Sequence, residues 1–411
     1  MAKLYSLPNG WEWKKLGDVC NLLNGYAFKA KDYVEFSDTV LIRMGNIRPN
    51  GEFDAEHKIQ YLPNKYSSEL TNYILNDGDL IIAMTDMATE MKILGIPTLV
   101  KNTSSRIFML NQRVGKLYDF KLDKINIEYL KYILSANQIK DYYKSLGGGG
   151  LQINIGKQQI LSVDFPLPPL EEQKRIVAKL DILFAKIDKA IALHQKNIDE
   201  ADIFMASVLN DVFVELEEKY EKIPLFDVAD VNRGKSKHRP RNDKKLFGGN
   251  YPFIQTGDVR NANKYIDTFS ETYSEFGLSQ SKLWKKDTIC MTIAANIGDV
   301  AILNIDSCFP DSVVGIYSEN NSNDFLYYFL LTLKQQLESQ ATTTAQMNIN
   351  LKILQTIGVP LPPLKTQQKV VSYLDEISNK MEKIKNLQKK KMQSLKELKA
   401  SILDQAFKGE L

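Results

Sequence analysis

The feature that most constrains this chain is a stretch it contains twice. Residues 165–181 read Phe-Pro-Leu-Pro-Pro-Leu-Glu-Glu-Gln and run on to Leu180 and Asp181. Residues 359–375 read Val-Pro-Leu-Pro-Pro-Leu-Lys-Thr-Gln and run on to Leu374 and Asp375. The copies lie 194 residues apart and align without a gap, with Gln173 opposite Gln367. Adjacent prolines bar helix up to that point, because proline lacks an N–H and biases the residue before it to extended geometry. Polar residues and an apolar period of three and four follow. Each copy therefore predicts the end of one domain and the start of one long helix.

No Pro or Gly interrupts the chain between Leu170 and Pro224, or between Leu364 and Gly409. One apolar stripe runs through Ile176, Leu180, Leu183, Ile187, Ile191, Ile198, Met205, Val208 and Val212, the other through Val370, Leu374, Ile377, Met381, Ile384, Leu387, Leu395, Leu398 and Ile402. Both keep close to a 3.5-residue repeat, which favours a two-helix seam. At 1.5 Å per residue each helix is expected to run roughly 60–65 Å and act as a spacer. Residues 166–218 carry 6 Lys+Arg against 11 Asp+Glu, and residues 359–411 carry 11 against 6. Opposite signs favour one antiparallel coiled coil; the competing reading lays each helix on its own globular domain.

The segments before each copy also correspond. Lys15 to Val19 resembles Pro224 to Val228, Ile42 to Ile47 resembles Ile254 to Val259, and Asp79 to Thr85 resembles Asp287 to Thr292 with one residue less. Gln152 to Ile155 matches Gln346 to Ile349 at the same offset as the proline motif. Strands are predicted at Thr39–Met44, Asp79–Met84 and Arg113–Tyr118, between Asn-Gly, Asp-Gly and Pro-Asn turn signals. A helix is predicted from Asn126 to Ser145, followed by a flexible turn at Gly147–Gly150. The expected fold is α+β: two tandem domains, 1–165 and 219–358, separated by helices over 166–218 and 359–411. An antiparallel helix pair between two such halves implies pseudo-twofold symmetry, which suits an extended, two-fold ligand such as double-stranded DNA.

Composition excludes several classes. No apolar run reaches the 18 residues of a membrane span, and the N-terminus lacks the apolar region of a secretory signal. Cys20, Cys290 and Cys308 are odd in number and far apart, which fits a reducing, cytoplasmic compartment. His57, His194 and His238 are scattered, so no metal site is expected. There is no GxxxxGK[ST] phosphate loop, no Asn-Pro-Pro-aromatic segment of an amino-methyltransferase, and no Glu-x-Lys after Pro310-Asp311 to make a nuclease core. No catalytic residue is expected, and Asp79 and Asp287 read as turn residues before strands.

The charge distribution points to nucleic acid. The densest basic run is Arg233, Lys235, Lys237, Arg239, Arg241, Lys244 and Lys245, with Asp243 its only acid and Gly234, Pro240, Gly248 and Gly249 marking a loop. Such a run suits phosphate contact, against the plainer reading of a solvated, partly disordered loop. The equivalent stretch of the first domain, Asn24 to Lys31, is weaker, with Lys29 and Lys31 beside Tyr26 and Phe28. Arg43, Arg48, Arg106 and Arg113 are the only arginines of that domain, and arginine is the commonest bidentate reader of guanine. Asn46, Asn111 and Gln112 suit adenine. Arg260 completes the candidates. A structural role stands beside the DNA role for each of them.

At the repeated proline–Gln motif, preceded by Gln-x-Asn-Ile and followed by a long helix, the chain resembles the specificity subunit of type I restriction–modification enzymes over essentially all 411 residues. The resemblance implies two target-recognition domains, each binding half of a split, asymmetric DNA site, with helices that fix the spacing between halves. It implies two modification subunits, using S-adenosylmethionine to methylate adenine, and restriction subunits using ATP and Mg, as partners. This chain itself is then expected to hold no cofactor and no catalytic residue. Lys365-Thr366, where the first copy has Glu171-Glu172, departs from the motif and weakens the favourable charge at that helix start. Two other classes stay open: a coiled-coil protein–protein adaptor without DNA readout, and a nuclease or methyltransferase with a degenerate site.

Overall fold

The residues around each double proline do the same two jobs. Asp164–Leu167 is a strand paired antiparallel with Glu12–Lys15, and Gly358–Pro360 is a strand paired antiparallel with Lys222–Pro224. The prolines end those strands, and helices begin at Leu170 and Leu364. In a computed structural model the described residues are 5–89, 91–146, 151–294, 296–342 and 349–411, side chains of 340–342 excepted. Gly147–Gly150 and the Gln346–Asn348 part of the second Gln-x-Asn-Ile copy lie outside them.

The two helices span Leu170–Lys219 and Leu364–Lys408, 50 and 45 residues. That is about 75 and 68 Å of helix, longer than expected, because both run on past the last stripe residues Val212 and Ile402, to Lys219 and Lys408. The chain divides into two compact units, residues 1–193 with 390–411, and residues 194–389. Each unit thus holds one globular domain, the start of one long helix and the end of the other. In the first, Ile176, Leu180, Phe184 and Ile187 share a core with Leu403, Ala406 and Phe407. In the second, Leu209, Phe213 and Leu216 share a core with Leu374.

Within each unit the helices run antiparallel. In the first, Lys399 Nζ lies 2.7 Å from Asp188 Oδ2, and Arg175 reaches the Leu411 carbonyl at 2.9 Å. In the second, Lys385 Nζ lies 2.9 Å from Asp202 Oδ1, and His194 Nδ1 meets Gln388 Oε1. Both ion pairs put the acid on the first helix and the base on the second, as the opposed charges require. They are exposed, so each adds a few tenths of a kcal/mol to about 1 kcal/mol. His194 and Gln388 are themselves 194 residues apart, so the duplicated helices cross at equivalent positions.

The globular domains repeat one sheet. In the first the strand order is Asn21–Asn24, Val114–Tyr118, Leu80–Ala83, Pro97–Leu99, all antiparallel. In the second it is Asp230–Arg233, Val313–Tyr317, Ile289–Thr292, Val300–Leu303, with Tyr265–Ile266 added in parallel. The matched turn after Ile42 and Ile254 is built alike: Asn46 Oδ1 accepts from Arg43 N–H, and Asp258 Oδ2 accepts from Gln255 N–H, each at 2.8 Å. Ile155 and Ile349, which close the two Gln-x-Asn-Ile copies, donate to Met84 and Ile293 carbonyls at 2.9 and 3.0 Å.

One element differs from the sequence reading. The helix expected over Asn126–Ser145 is two, Ile127–Leu134 and Asn137–Ser145. Ser135 turns its hydroxyl back to the Lys131 carbonyl, and Ala136 is extended. The break re-aims the second helix so that Ile139 and Tyr143 enter the core. An uninterrupted apolar pattern does not register such a turn.

Gln173 and Gln367 explain why the motif carries a glutamine. Both are buried, at 0% and 1% exposure. Gln173 Oε1 accepts from Asn126 N–H at 2.8 Å, and its Nε2 donates to the Lys124 and Pro168 carbonyls at 2.8 and 2.9 Å. Gln367 Oε1 accepts from Ser322 N–H at 2.9 Å, and its Nε2 donates to Asn321 Oδ1 at 3.1 Å and the Pro362 carbonyl at 2.9 Å. Asn126 and Ser322 are the N-caps of equivalent domain helices, Ile127–Leu134 and Asn323–Thr332. The closing aspartates act on the same helices: Asp181 accepts from Tyr132 Oη and Asp375 from Tyr328 Oη, each at 2.5 Å.

Candidate nucleic-acid interface

The basic run of the second domain is built, not loose. Strand Asp230–Arg233 leads into it, and Gly234 N–H donates to the Val313 carbonyl at 2.9 Å. A Cβ on Gly234 would lie 2.3 Å from the Pro310 carbonyl oxygen, so only glycine lets the strap cross that backbone. Lys235 N–H donates to the Phe309 carbonyl at 3.1 Å and Lys237 N–H to the Gln280 carbonyl at 3.1 Å. Asp243 caps the short turn Lys244–Leu246, accepting from Lys245 N–H at 3.0 Å and meeting His238 Nε2 at 2.9 Å. The Lys245 N–H, then His238, hold the Asp243 carboxyl below the usual carboxylate range. The partly disordered loop allowed by composition is therefore replaced by a pinned strap.

Pinning divides the seven cations. Arg241 is held by Asp311, its Nη2 donating to both carboxylate oxygens at 3.0 and 2.9 Å. Arg239 turns back to the Ser236 and His238 carbonyls at 2.7 and 2.9 Å, and Arg233 reaches the Ile349 carbonyl at 3.3 Å. Lys235, Lys237, Lys244 and Lys245 are exposed; the first three have no side-chain partner among the described residues, and Lys245 has the charge of Asp243 nearby. Arg260, elsewhere in this domain, is tied to Asn296 Oδ1. The strap also lies beside residues that sequence reasoning passed over. Phe276, 41% exposed, packs its edge on His238, and the exposed Lys282 sits two residues beyond Gln280, 3.6 Å above the Trp284 ring. The Lys237 N–H bond to the Gln280 carbonyl and the Ser281 hydroxyl bond to the Lys235 carbonyl, at 3.1 and 2.8 Å, bring them together.

The first domain repeats the crossing. A Cβ on Gly25 would lie 2.1 Å from the Asn111 carbonyl oxygen, and Tyr26 N–H donates to the Leu110 carbonyl at 2.9 Å. Gln112 N–H donates to the Tyr26 carbonyl at 2.9 Å, so the Gln112–Arg113 turn flanks the segment bearing Lys29 and Lys31. These four side chains are exposed and unpartnered among the described residues. Tyr26, 38% exposed, stacks edge-on against Phe28 in the same place.

Of the remaining candidates, Asn46, Asn111, Arg43 and Arg106 are engaged within the domain itself. Asn46 is 2% exposed and its Nδ2 donates to the Asp54 and His57 carbonyls at 2.9 and 3.2 Å. Arg43 donates to the Lys58 carbonyl at 2.6 Å, and Arg106 is paired with Glu56, which raises its pKa. Arg48 is half-buried, and Asn111 is buried with Oδ1 accepting from Arg113 N–H at 3.2 Å. In this geometry Asn46 and Asn111 hold turns together. Asp79, read as a turn residue, accepts from Asn76 N–H at 2.7 Å and pairs with Lys116 at 2.6 Å.

Among the described residues no cluster of His, Cys, Asp or Glu is arranged to hold a metal ion, and no helix is long and apolar enough to cross a membrane. The three cysteines are free and buried, and burial pushes the Cys20 thiol up to about 12.

Comparison with known proteins agrees with this geometry. The family described as type I restriction modification DNA specificity domain matches residues 8–200 and 217–392. A specificity subunit assigned to the MjaX type I restriction enzyme of Methanocaldococcus jannaschii is 25% identical, over 100% of this chain and 96% of that protein. The EcoKI specificity subunit of Escherichia coli K12 is 22% identical, over 98% and 90%. A solved structure titled for complex assembly and conformational transition of the type I R-M system covers 99% of this chain and 100% of its own, with TM-score 0.72 and 23% identity. Two family matches, one on each half of a chain whose halves share a sheet, a strap crossing and a glutamine clamp, place it plainly: the chain belongs to the type I restriction–modification DNA specificity family.

Proposed function

We propose that this chain is the DNA-reading subunit of a type I restriction–modification complex, in which each globular domain reads one half of a split, asymmetric site. The observation that carries this is the division of the duplicated domain. The buried contacts to the starts of the long helices, Gln173 and Gln367, Leu180 and Leu374, and the Tyr132–Asp181 and Tyr328–Asp375 pairs, are kept twice, while the outward strap differs in charge between copies. Two unlike readers on one scaffold fit two unlike half-sites. The exposed lysines Lys235, Lys237, Lys244 and Lys245 grip phosphates. Arg113 and Gln112 are the first-domain side chains best placed to reach base edges, since their ends are not committed elsewhere.

The helices set the spacer and dock two modification subunits, to which restriction subunits add. Exposed apolar residues on both helices, Ile203 and Phe204 on one and Tyr373 and Leu387 on the other, support such docking. Methyl transfer and cleavage, with S-adenosylmethionine, ATP and Mg, belong to those partners; this chain is non-catalytic and works in the cytoplasm, beside the host DNA. The adaptor reading is not favoured, because it leaves the strap lysines without a ligand. A gel shift on duplex DNA with and without modification subunits, followed by mapping of methylated sites in the host genome, tests the proposal. A split site with two different halves is the expected result. Binding to modification subunits with no sequence preference on DNA would overturn it.

A further inference from the structure

We propose that Gln173 and Gln367, together with the Tyr132–Asp181 and Tyr328–Asp375 pairs, are positioning residues that hold the recognised spacer to one length. This rests on the reading just given. Apolar burial decides that a helix docks on its domain, but it is non-directional and tolerates small rotations. The glutamine is different. One buried amide joins three chain segments: the cap of the domain helix, the loop before that cap, and the double-proline turn. Hydrogen bonds of a fully buried amide are directional and costly to leave unmade, so the amide fixes an angle as well as a contact. The tyrosine–aspartate bond, two helical turns further on, supplies a second point. Two fixed points along a helix define its direction.

Direction matters because the helices are long. A tilt of about 3° at one end of a helix of ~75 Å moves the other end by ~4 Å, more than the ~3.4 Å step of one base pair. Loosening a clamp should therefore relax the gap between half-sites while leaving each half-site unchanged. Helix length alone sets a mean gap; the clamps set how sharply it is kept.

The test uses the full chain assembled with its modification subunits. A duplex library holds both half-sites of the wild type and varies the gap by one or two base pairs; methylated members are sequenced. Gln173→Leu and Gln367→Leu should each raise methylation at gaps one pair off by about tenfold relative to the native gap. Base preference within both halves should stay as in the wild type. Tyr132→Phe with Tyr328→Phe keeps both rings packed and should move the gap ratio the same way, by less. If the glutamine variants do not melt cooperatively, the tyrosine pair decides. Folded variants with the wild-type gap ratio, or with relaxed bases and an unrelaxed gap, overturn the positioning role. A wild-type complex that methylates no split site overturns the functional reading beneath it, a distinct outcome.

Discussion

The two units solve one docking problem identically and one surface problem differently. Leu180 and Leu374 are both fully buried beneath their domain helices, and Leu209–Phe213 recurs as Leu403–Phe407 at the two helix ends. Phe213 packs on Phe325 and Phe329, while Phe407 packs edge-on against Tyr129. By contrast, the strap after Gly25 offers Lys29 and Lys31, and the strap after Gly234 offers Lys235, Lys237, Lys244 and Lys245. The domains also differ in a further sheet: four strands ordered Tyr61–Leu62, Thr39–Ile42, Ile107–Leu110, Ile74–Leu75 in the first, and, among the described residues, Phe247–Phe253 with Glu271–Tyr273 in the second. Duplication here preserves what faces the helices and releases what faces outward. A change at a helix-facing residue should thus act alike in both units, and a change at an outward residue should not.

The sharpest way to break that comparison is to cut the shared core. Leu180→Ala and Leu374→Ala should each cost about 2–5 kcal/mol, the transfer term plus an unfilled cavity. Because the sites are equivalent, the two costs should agree within about 1 kcal/mol in denaturant unfolding. Widely unequal costs would mean that the helix starts are not docked alike.

An outward change comes next. Removing Lys235, Lys237 and Lys244 together should leave the melting temperature unchanged, since none has a side-chain partner among the described residues. Binding should weaken about equally for cognate and non-cognate DNA, and the salt slope should flatten by about 0.9 for each phosphate no longer neutralised. A drop in selectivity at particular bases, with the slope kept, would make the strap a reader. Arg113→Ala should act on one half-site only, removing roughly 1–3 kcal/mol of discrimination at one position.

The glycine crossings test whether the straps are equivalent in structure despite their different charge. Gly25→Ala and Gly234→Ala each drive a Cβ into backbone carbonyls, which cannot rotate away, and each should cost about 1–3 kcal/mol by thermal melting. A neutral effect at either would show that its strap crosses elsewhere.

How much of the molecule is legible in its sequence follows from what kind of signal each part leaves. The helix starts are plain, since double prolines and uninterrupted apolar periods are local. The pairing of the helices is legible too, from charges summed over each. The strap is visible as a basic run, but its order is not, because the groups that pin it come from Phe309, Gln280 and Asp311, far along the chain. The same holds for Asn46: an asparagine in a turn looks equally suited to adenine or to its own backbone, and only hydrogen bonds to the Asp54 and His57 carbonyls commit it. The Gln of the motif stands out because both copies keep it, yet its role needs the N-caps at Asn126 and Ser322, neither of which sits in the repeat.

The smallest expected effect probes where even the helix-facing half of the comparison breaks. In the second unit Lys264 Nζ lies 2.6 Å from Asp375 and 2.7 Å from Asp324, 4.9 Å from the Tyr328 ring centre. In the first unit, among the described residues, Asp181 has Tyr132 as its side-chain partner and no lysine beside it. The second domain is therefore anchored by a cation the first lacks. The lysine side chain is 16% exposed but both carboxylates are more than a third exposed, so solvent screens much of the attraction. Lys264→Met keeps the stem and removes the charge, leaving two carboxylates facing each other. The cost should be about 1 kcal/mol, well below that of a fully buried pair. It should appear as faster amide hydrogen exchange in the helix Asn323–Thr332, with the helix Ile127–Leu134 unchanged. Equal changes in both helices would show that the two anchors are energetically coupled, and the independence of the units would have to be abandoned.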